Sequence, residues 1–281
     1  MKSLLSLPDK TFLVDVKPRV LRNCFLDAYC ALFPKINRAK AEAYLANGER
    51  FRTLCEQWYQ YLDDNNLNKA YRVYNHDYYF TDLWTCFSQY SRTYLRALQR
   101  PCLVNGKSIF DATKTAKVIV DLGCGVGLTT AALKQLYPRA KVYGTNLKDT
   151  KQWSFCQRMA KQYDFTLVDD VKRIKQSADV VFASEYFEHI QSPIDHLAEI
   201  IDAISPRHFL IANAFKTYSI GHFRVYQDTT GNYGRVVDVP ERNISRLHNK
   251  YLRDSGYEAI KTTLFNQKPK FWSKKTSLDE N

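Results

Sequence analysis

The sequence predicts an α/β fold: a mostly parallel sheet with helices on both faces, preceded by an α-helical N-terminal region. Three observations carry this. From Lys117 onward, short β-branched runs alternate with helical stretches, the pattern of βαβ units. The first run, Val118–Asp121, ends in an acid and passes directly into a glycine-rich turn, Gly123-Cys124-Gly125-Val126-Gly127. Before it, residues 20–100 are rich in helix formers and contain a single glycine, Gly48.

Taken in order, Thr11–Val16 reads as a short strand. Several amphipathic helices follow between Val20 and Arg100, and Leu54, Trp58, Tyr61 and Leu62 form an apolar stripe that Asp63-Asp64-Asn65-Asn66 breaks. Pro101 ends the last of these helices, and Asn105-Gly106 makes a turn. The strands are then Val118–Asp121, Lys141–Gly144, Asp164–Val168, Val180–Ala183 and Phe209–Ala212, with helices Leu128–Leu136 and Ile194–Ile204 between them. A helix near Ile244–Ser255 and a strand Tyr257–Phe265 close the pattern. The domains expected are 1–105, a helical cap over substrate and cofactor; 106–273, the α/β domain; and 274–281, a frayed tail.

Composition narrows the functional classes. With 45% hydrophobic and 25% charged residues, the 281-residue chain has the make-up of a folded globular protein. No apolar run approaches the roughly 18–20 residues of a membrane span, and the first residues meet Pro8 and Asp9 too early for a signal-peptide core. A cytoplasmic protein off the membrane is expected. The seven cysteines (Cys24, Cys30, Cys55, Cys86, Cys102, Cys124 and Cys156) contain no C-x-x-C pair, so reduced thiols and no metal are expected. Lys and Arg number 41 against 29 Asp and Glu, a formal +12 that favours a polyanionic partner, because surplus cations displace the counterions of a phosphate backbone. A basic surface without such a partner is the alternative.

Glycines at alternate positions after a strand let the backbone approach a ligand at the strand's carboxyl end, where open α/β sheets bind ligands. The string from Asp121 to Gly127, D-x-G-x-G-x-G, resembles the first motif of class I S-adenosylmethionine-dependent methyltransferases. The resemblance implies a Rossmann-like methyltransferase sheet with S-adenosylmethionine as cofactor. It implies that Asp121 orients groups near the methionine amino end, and that Gly123, Gly125 and Gly127 leave room for the cofactor. Asn146 stands where the family usually has the acid that holds the ribose hydroxyls, and as an amide it accepts only through its oxygen. Asp169 or Asp170 falls at the position that bonds the adenine amine, or is a solvated turn acid. The segment Tyr74–Trp84 resembles the aromatic stretch that closes over the cofactor, with plain helix packing as the other reading.

The fourth strand runs into Ser184-Glu185-Tyr186-Phe187-Glu188-His189. This resembles the catalytic tetrad of adenine and cytosine amino methyltransferases at its outer members, Ser184 and Phe187, and lacks the two prolines between them. In such a site a side-chain oxygen and a backbone carbonyl draw aside the hydrogens of an exocyclic amine, and the aromatic ring stacks on a flipped base. Ser184, Glu185, Tyr186 and Phe187 are therefore the catalytic candidates. His189, Asn213, Phe215 and Arg224 are the substrate-binding ones, His189 serving as a base or packing structurally. Arg224, Arg235, Arg242, Arg246, Lys250 and Arg253, interleaved with Tyr226, Tyr233 and Tyr251, suit single-stranded or flipped nucleic acid, or an ordinary solvated face. The leading expectation is a DNA adenine-N6 methyltransferase of loose sequence preference, similar to some phage or prophage enzymes. The alternative is a small-molecule, lipid or RNA methyltransferase with a closed pocket under the helical cap.

Overall fold

The computed structural model describes residues 4–7, 11–46, 48–230 and 236–275. Pro8, Asp9, Tyr233, Arg235 and the tail beyond Lys275 lie outside the described residues.

The sheet has seven strands: β1 (Val118–Leu122), β2 (Lys141–Thr145), β3 (Thr166–Val168), β4 (Val180–Ser184), β5 (His208–Ala212), β8 (Tyr257–Ile260) and β9 (Lys270–Lys274). Their order is β3-β2-β1-β4-β5-β9-β8, and β9 runs antiparallel to both of its neighbours. β1 is buried along its whole length, as a central parallel strand covered on both faces must be. Because β1 pairs with β2 on one side and β4 on the other, the chain direction switches between β1 and β4, which opens a crevice at their carboxyl ends. The register places Asp121 beside Gly144 and Phe182.

The helices begin with α1 (Pro18–Leu32), α2 (Arg38–Ala46), α3 (Gly48–Asp63) and α4 (Leu67–Ala70). A 3-10 turn, Tyr71–Asn75, leads to α5 (Phe80–Thr85), which continues through a π-helical stretch, Cys86–Ser91, into α6 (Arg92–Leu98). Then come α7 (Ile109–Thr113), α8 (Leu128–Leu136), α9 (Lys151–Tyr163), α10 (Pro193–Ile204) and α11 (Glu241–Asp254). A hairpin of β6 (Val225–Asp228) and β7 (Val237–Pro240) precedes α11. Leu54 and Trp58 of the expected stripe are buried, whereas Tyr61 and Leu62 are half-buried; α3 stops at Asp63 and Asn66 caps α4.

Thr11–Val16 is a turn, not a strand. Its backbone groups are satisfied by side chains instead of a neighbouring strand: Leu13 N–H donates to Gln135 Oε1 at 2.9 Å, and the buried Arg92 guanidinium donates to the carbonyls of Val14 and Val16. The last predicted strand stops at Ile260, and the hairpin and β9 lay outside the predicted pattern. Asp164 is not in β3; it closes α9 in the left-handed region.

The N-terminal helices share one apolar core with the sheet domain. Phe25 stacks on Trp84 at 5.2 Å and packs against Phe155 of α9, and Tyr29 stacks on Phe80 at 4.2 Å. Aromatic contacts of this kind each contribute about 0.5–1.5 kcal/mol beyond area burial, so α1 is fixed against both α5 and α9.

Candidate active site

The crevice at the carboxyl ends of β1 and β4 is a cleft of about 600 Å³. One wall is the glycine turn. Gly123, Gly125 and Gly127 all have positive φ, at 65°, 53° and 85°. A Cβ on Gly123 would sit 2.4 Å from the Tyr186 ring, and one on Gly125 would sit 3.0 Å from Leu83. These two glycines line the cleft. Gly127 does not: it starts α8, and a Cβ there would meet Cys156, Phe165 and Met159, so its smallness serves the packing of α8 on α9 and on Phe165 just ahead of β3.

Asp121 lies beneath this turn, 2% exposed, and its Oδ2 accepts from Thr130 Oγ1 at 2.6 Å. Burial pushes its pKa up to about 7. Asn146, just past β2, faces the cleft, but both ends of its amide are engaged. Nδ2 donates to the Gly125 carbonyl at 2.5 Å, and Oδ1 accepts from Leu147 N–H at 2.9 Å. Asn146 thus ties the second strand to the glycine turn, which a carboxylate could not do. Asn146→Asp sets a carboxylate against that carbonyl and is expected to weaken cofactor binding about tenfold, as titration calorimetry would read; an unchanged or tighter affinity would show that the tie is dispensable. Asp169 and Asp170 also line the cleft. Asp169 pairs with Arg173 at 2.6 Å, and Asp170 caps the 3-10 turn Val171–Arg173 through Lys172 N–H.

The opposite side is built from the end of β4 and from residues 71–91. Ser184 Oγ accepts from Ser91 Oγ at 3.1 Å, and Tyr186 Oη lies 2.8 Å from His196 Nε2. Glu185 sits at φ 51°, an uncommon conformation for a residue with a Cβ, and turns the chain out of the strand. His189 Nδ1 is 3.2 Å from the Tyr74 hydroxyl. Burial, then the neighbouring His222, holds its pKa well below the usual histidine range, so the ring is neutral at physiological pH. Tyr71, Tyr74, Tyr79, Asp82, Cys86 and Phe87 complete this side.

Several candidates lie elsewhere. Phe187 is fully buried against His248 at 4.6 Å and Tyr186 at 5.2 Å, with no face open to a base. Phe215 is buried against Tyr226 and His248. Asn213 does not line the cleft, and its backbone carbonyl accepts from Lys268 Nζ at 3.0 Å. Arg224 lies over the Tyr59 ring at 4.2 Å, outside the cleft. Tyr226 is in the core with its hydroxyl on the Glu188 carbonyl, while Arg242, Arg246 and Lys250 occupy the exposed face of α11. Among the described residues of that stretch, the cations of α11 and the ring of Tyr226 therefore lie apart.

Asp82 escaped the sequence reading as a site residue although it lies inside the aromatic segment singled out there. In that segment Tyr74, Tyr79 and Leu83 line the cleft while Phe80 and Trp84 pack in the core. Cys86, Phe87 and Ser91 gave no signal beyond amphipathic helix. Among the described residues, no group of three or more His, Cys, Asp or Glu side chains is placed to hold a metal ion, and no helix is long and apolar enough to cross a membrane.

A parallel sheet switching direction at a glycine cradle, with Asn146 and paired acids beyond the next strands, defines a nucleotide-type cofactor site. The chain belongs to the methyltransferase domain family, whose model matches residues 91–273. The cradle of Gly123 and Gly125 fits S-adenosylmethionine, the donor that the resemblance of the string Asp121–Gly127 implies. No protein of curated function matches the chain in sequence. Among solved structures, it is similar to a chain of the fibrillarin/Nop5p complex (13% identity, 52% of this chain and 64% of that one, TM-score 0.37). It is also similar to the N-terminal domain of EvdMO1 with SAH bound (15%, 66% and 79%, TM-score 0.40). A third is an S-adenosylmethionine-dependent methyltransferase from Clostridium acetobutylicum (13%, 60% and 89%, TM-score 0.39). The chain spans just under two thirds of the first of these. At such identities the likeness is one of fold.

Proposed function

We propose that this methyltransferase acts on a small molecule held between the end of β4 and the wall formed by residues 71–91, and not on a base in DNA. The observation that carries this reading is charge. The cleft is lined by six acidic side chains, Asp82, Asp121, Asp169, Asp170, Glu185 and Glu199, against one lysine, Lys148, and no arginine. A phosphate backbone brought to such a cleft meets repulsion instead of the cationic contacts that release counterions. Further Lys and Arg side chains lie outside the cleft, among them those on α11 and Arg224 beside Tyr59. The DNA adenine-N6 reading also needs an aromatic face at Phe187, which is buried, whereas a cleft near 600 Å³ lies within the range of about 300–1,000 Å³ typical of small-molecule sites.

S-adenosylmethionine supplies a methyl group on a positively charged sulfur. The protein's part is to orient the acceptor in line with it and to take the acceptor's proton. The neutral His189 and the carboxyl of Asp82 lie on the acceptor side, while Ser184, bonded to Ser91, serves position. Incubation with labelled S-adenosylmethionine and, separately, duplex DNA, tRNA and a low-molecular-weight cell extract tests this, with products identified by mass spectrometry. Label is expected in the small-molecule fraction alone; label in DNA or tRNA would overturn the proposal.

A further inference from the structure

Asp82 stands apart from the other acids of the cleft. It is 9% exposed, it lines the cleft, and its carboxylate has no hydrogen-bonding partner among the described residues. Asp121, by contrast, is satisfied by Thr130, Asp169 by Arg173, and Glu199 by Lys172 and His196. A buried, unpaired carboxylate is costly unless something supplies hydrogens and positive charge to it. Its proton affinity reflects this: burial, and then the charge of Glu185, push the pKa of Asp82 up to about 7. Glu185, in contact with Tyr94 and with the fully buried Glu188, is raised by burial as well, against the opposing charge of Lys268.

The titratable groups that interact with this acid are phenols, thiols and a carboxylate, with no cation among the described residues acting on it. Asp82 acts electrostatically on Tyr74, Tyr79 and Cys86, and is itself acted on by Glu185; none of these belongs to the glycine turn or follows β2 or β3, where the cofactor's recognition elements lie. Tyr71, Tyr74, Tyr79 and Phe87 add aromatic rings to the same side. Ionised carboxylates accept hydrogens and offer none, and aromatic faces attract cations. A hydroxyl or a carbonyl acceptor answers to neither feature as fully as an ammonium does.

We infer that the methyl acceptor is a small amine, bound as its ammonium ion between Asp82 and Glu185 within this aromatic wall. This rests on the small-molecule reading of the same cleft. The Asp82 carboxylate takes one proton from the ammonium, leaving a neutral amine and a carboxylic acid. The nitrogen lone pair then forms the N–C bond to the methyl group as the C–S bond of S-adenosylmethionine breaks, its electron pair remaining on sulfur. The product is a methylated ammonium facing Glu185 and the now protonated Asp82, and loss of the Asp82 proton to solvent as the product leaves restores the carboxylate.

Calorimetry on the full chain saturated with S-adenosylhomocysteine tests this with three amines and their neutral counterparts: phenethylamine and 2-phenylethanol, tryptamine and tryptophol, hexylamine and hexanol. At pH 8 at least one amine is expected to bind about tenfold more tightly than its alcohol, the worth of a charge-assisted hydrogen bond. Asp82→Asn should erase that preference while the affinity for S-adenosylmethionine stays within about twofold. No amine binding, or equal affinities for amine and alcohol in the wild-type protein, overturns the inference. So does an Asp82→Asn variant that loses the methyl donor and keeps the amine preference, because Asp82 would then serve the cofactor's own ammonium. If label still enters the small-molecule fraction in the assay above but the product is O- or C-methylated, the amine assignment alone falls; label in nucleic acid brings down the broader reading.

Discussion

Gly125→Arg is expected to abolish measurable binding of S-adenosylmethionine while the protein remains folded. Gly125 lies at φ 53° at the cleft wall, with Leu83 3.0 Å from where a Cβ would stand. The substitution therefore adds backbone strain, a clash and a long cation to the space the donor occupies, and that donor is itself cationic. A loss of about 100-fold or more, near 2.7 kcal/mol, is the expected scale. Titration calorimetry reads the affinity, and circular dichroism with thermal melting shows that the sheet persists. Asp121→Ala should also weaken binding, but by a less direct route: removing the carboxylate frees Thr130 Oγ1 on α8 and loosens the seat of the turn. Unchanged affinity in both variants would refute the placement of the cofactor at this turn.

Phe187→Ala is expected to destabilise the fold by about 3–5 kcal/mol, the usual cost of emptying a large aromatic site in a core. Phe187 is 0% exposed and packs on Tyr186 and on His248 of α11, so its loss opens a cavity between the end of β4 and that helix. Urea denaturation measures the change as a lower midpoint. At temperatures where the variant is folded, kcat should fall only as far as Tyr186 shifts. A variant of wild-type stability with turnover reduced by two or more orders of magnitude would reinstate Phe187 as the ring that stacks on the acceptor, and with it the nucleic-acid reading.

The contrast between these two positions explains what the sequence could and could not say. Gly125 was legible because its requirement is local: a backbone conformation and a close approach, both written in the spacing of three glycines after an apolar strand. Helix α8 and the parallel strands were legible for the same reason, since β-branched runs and a glycine cap act within a few residues. Phe187 was misread because whether a ring faces a cleft or a core depends on α11, more than fifty residues further along the chain. Arg92 and Gln135 hid the true state of Thr11–Val16 in a similar way: distant side chains supply the hydrogen bonds that an adjacent strand was expected to give. The charge balance misled by being a sum. A formal +12 says nothing of sign at one cleft, and there the sign is reversed.

The π-helical stretch Cys86–Ser91 decides which residues of a continuous helix meet the cleft. Asp82 and Cys86, like Leu83 and Phe87, are four apart, as α spacing requires, and Ser91 follows Cys86 by five and Phe87 by four. The wider turn works as one inserted residue absorbed without breaking the helix. Ahead of it, the helix points Asp82 and Leu83 at the cleft; at its end Ser91 reaches Ser184, and just beyond it Arg92 reaches the carbonyls of Val14 and Val16. Deleting a single residue within 86–91 would restore α spacing and rotate everything downstream by about 100°, so that Tyr90's neighbours would trade places around the axis. The reading frame of this one helix thus couples the shape of the cleft wall to the anchoring of the turn Thr11–Val16.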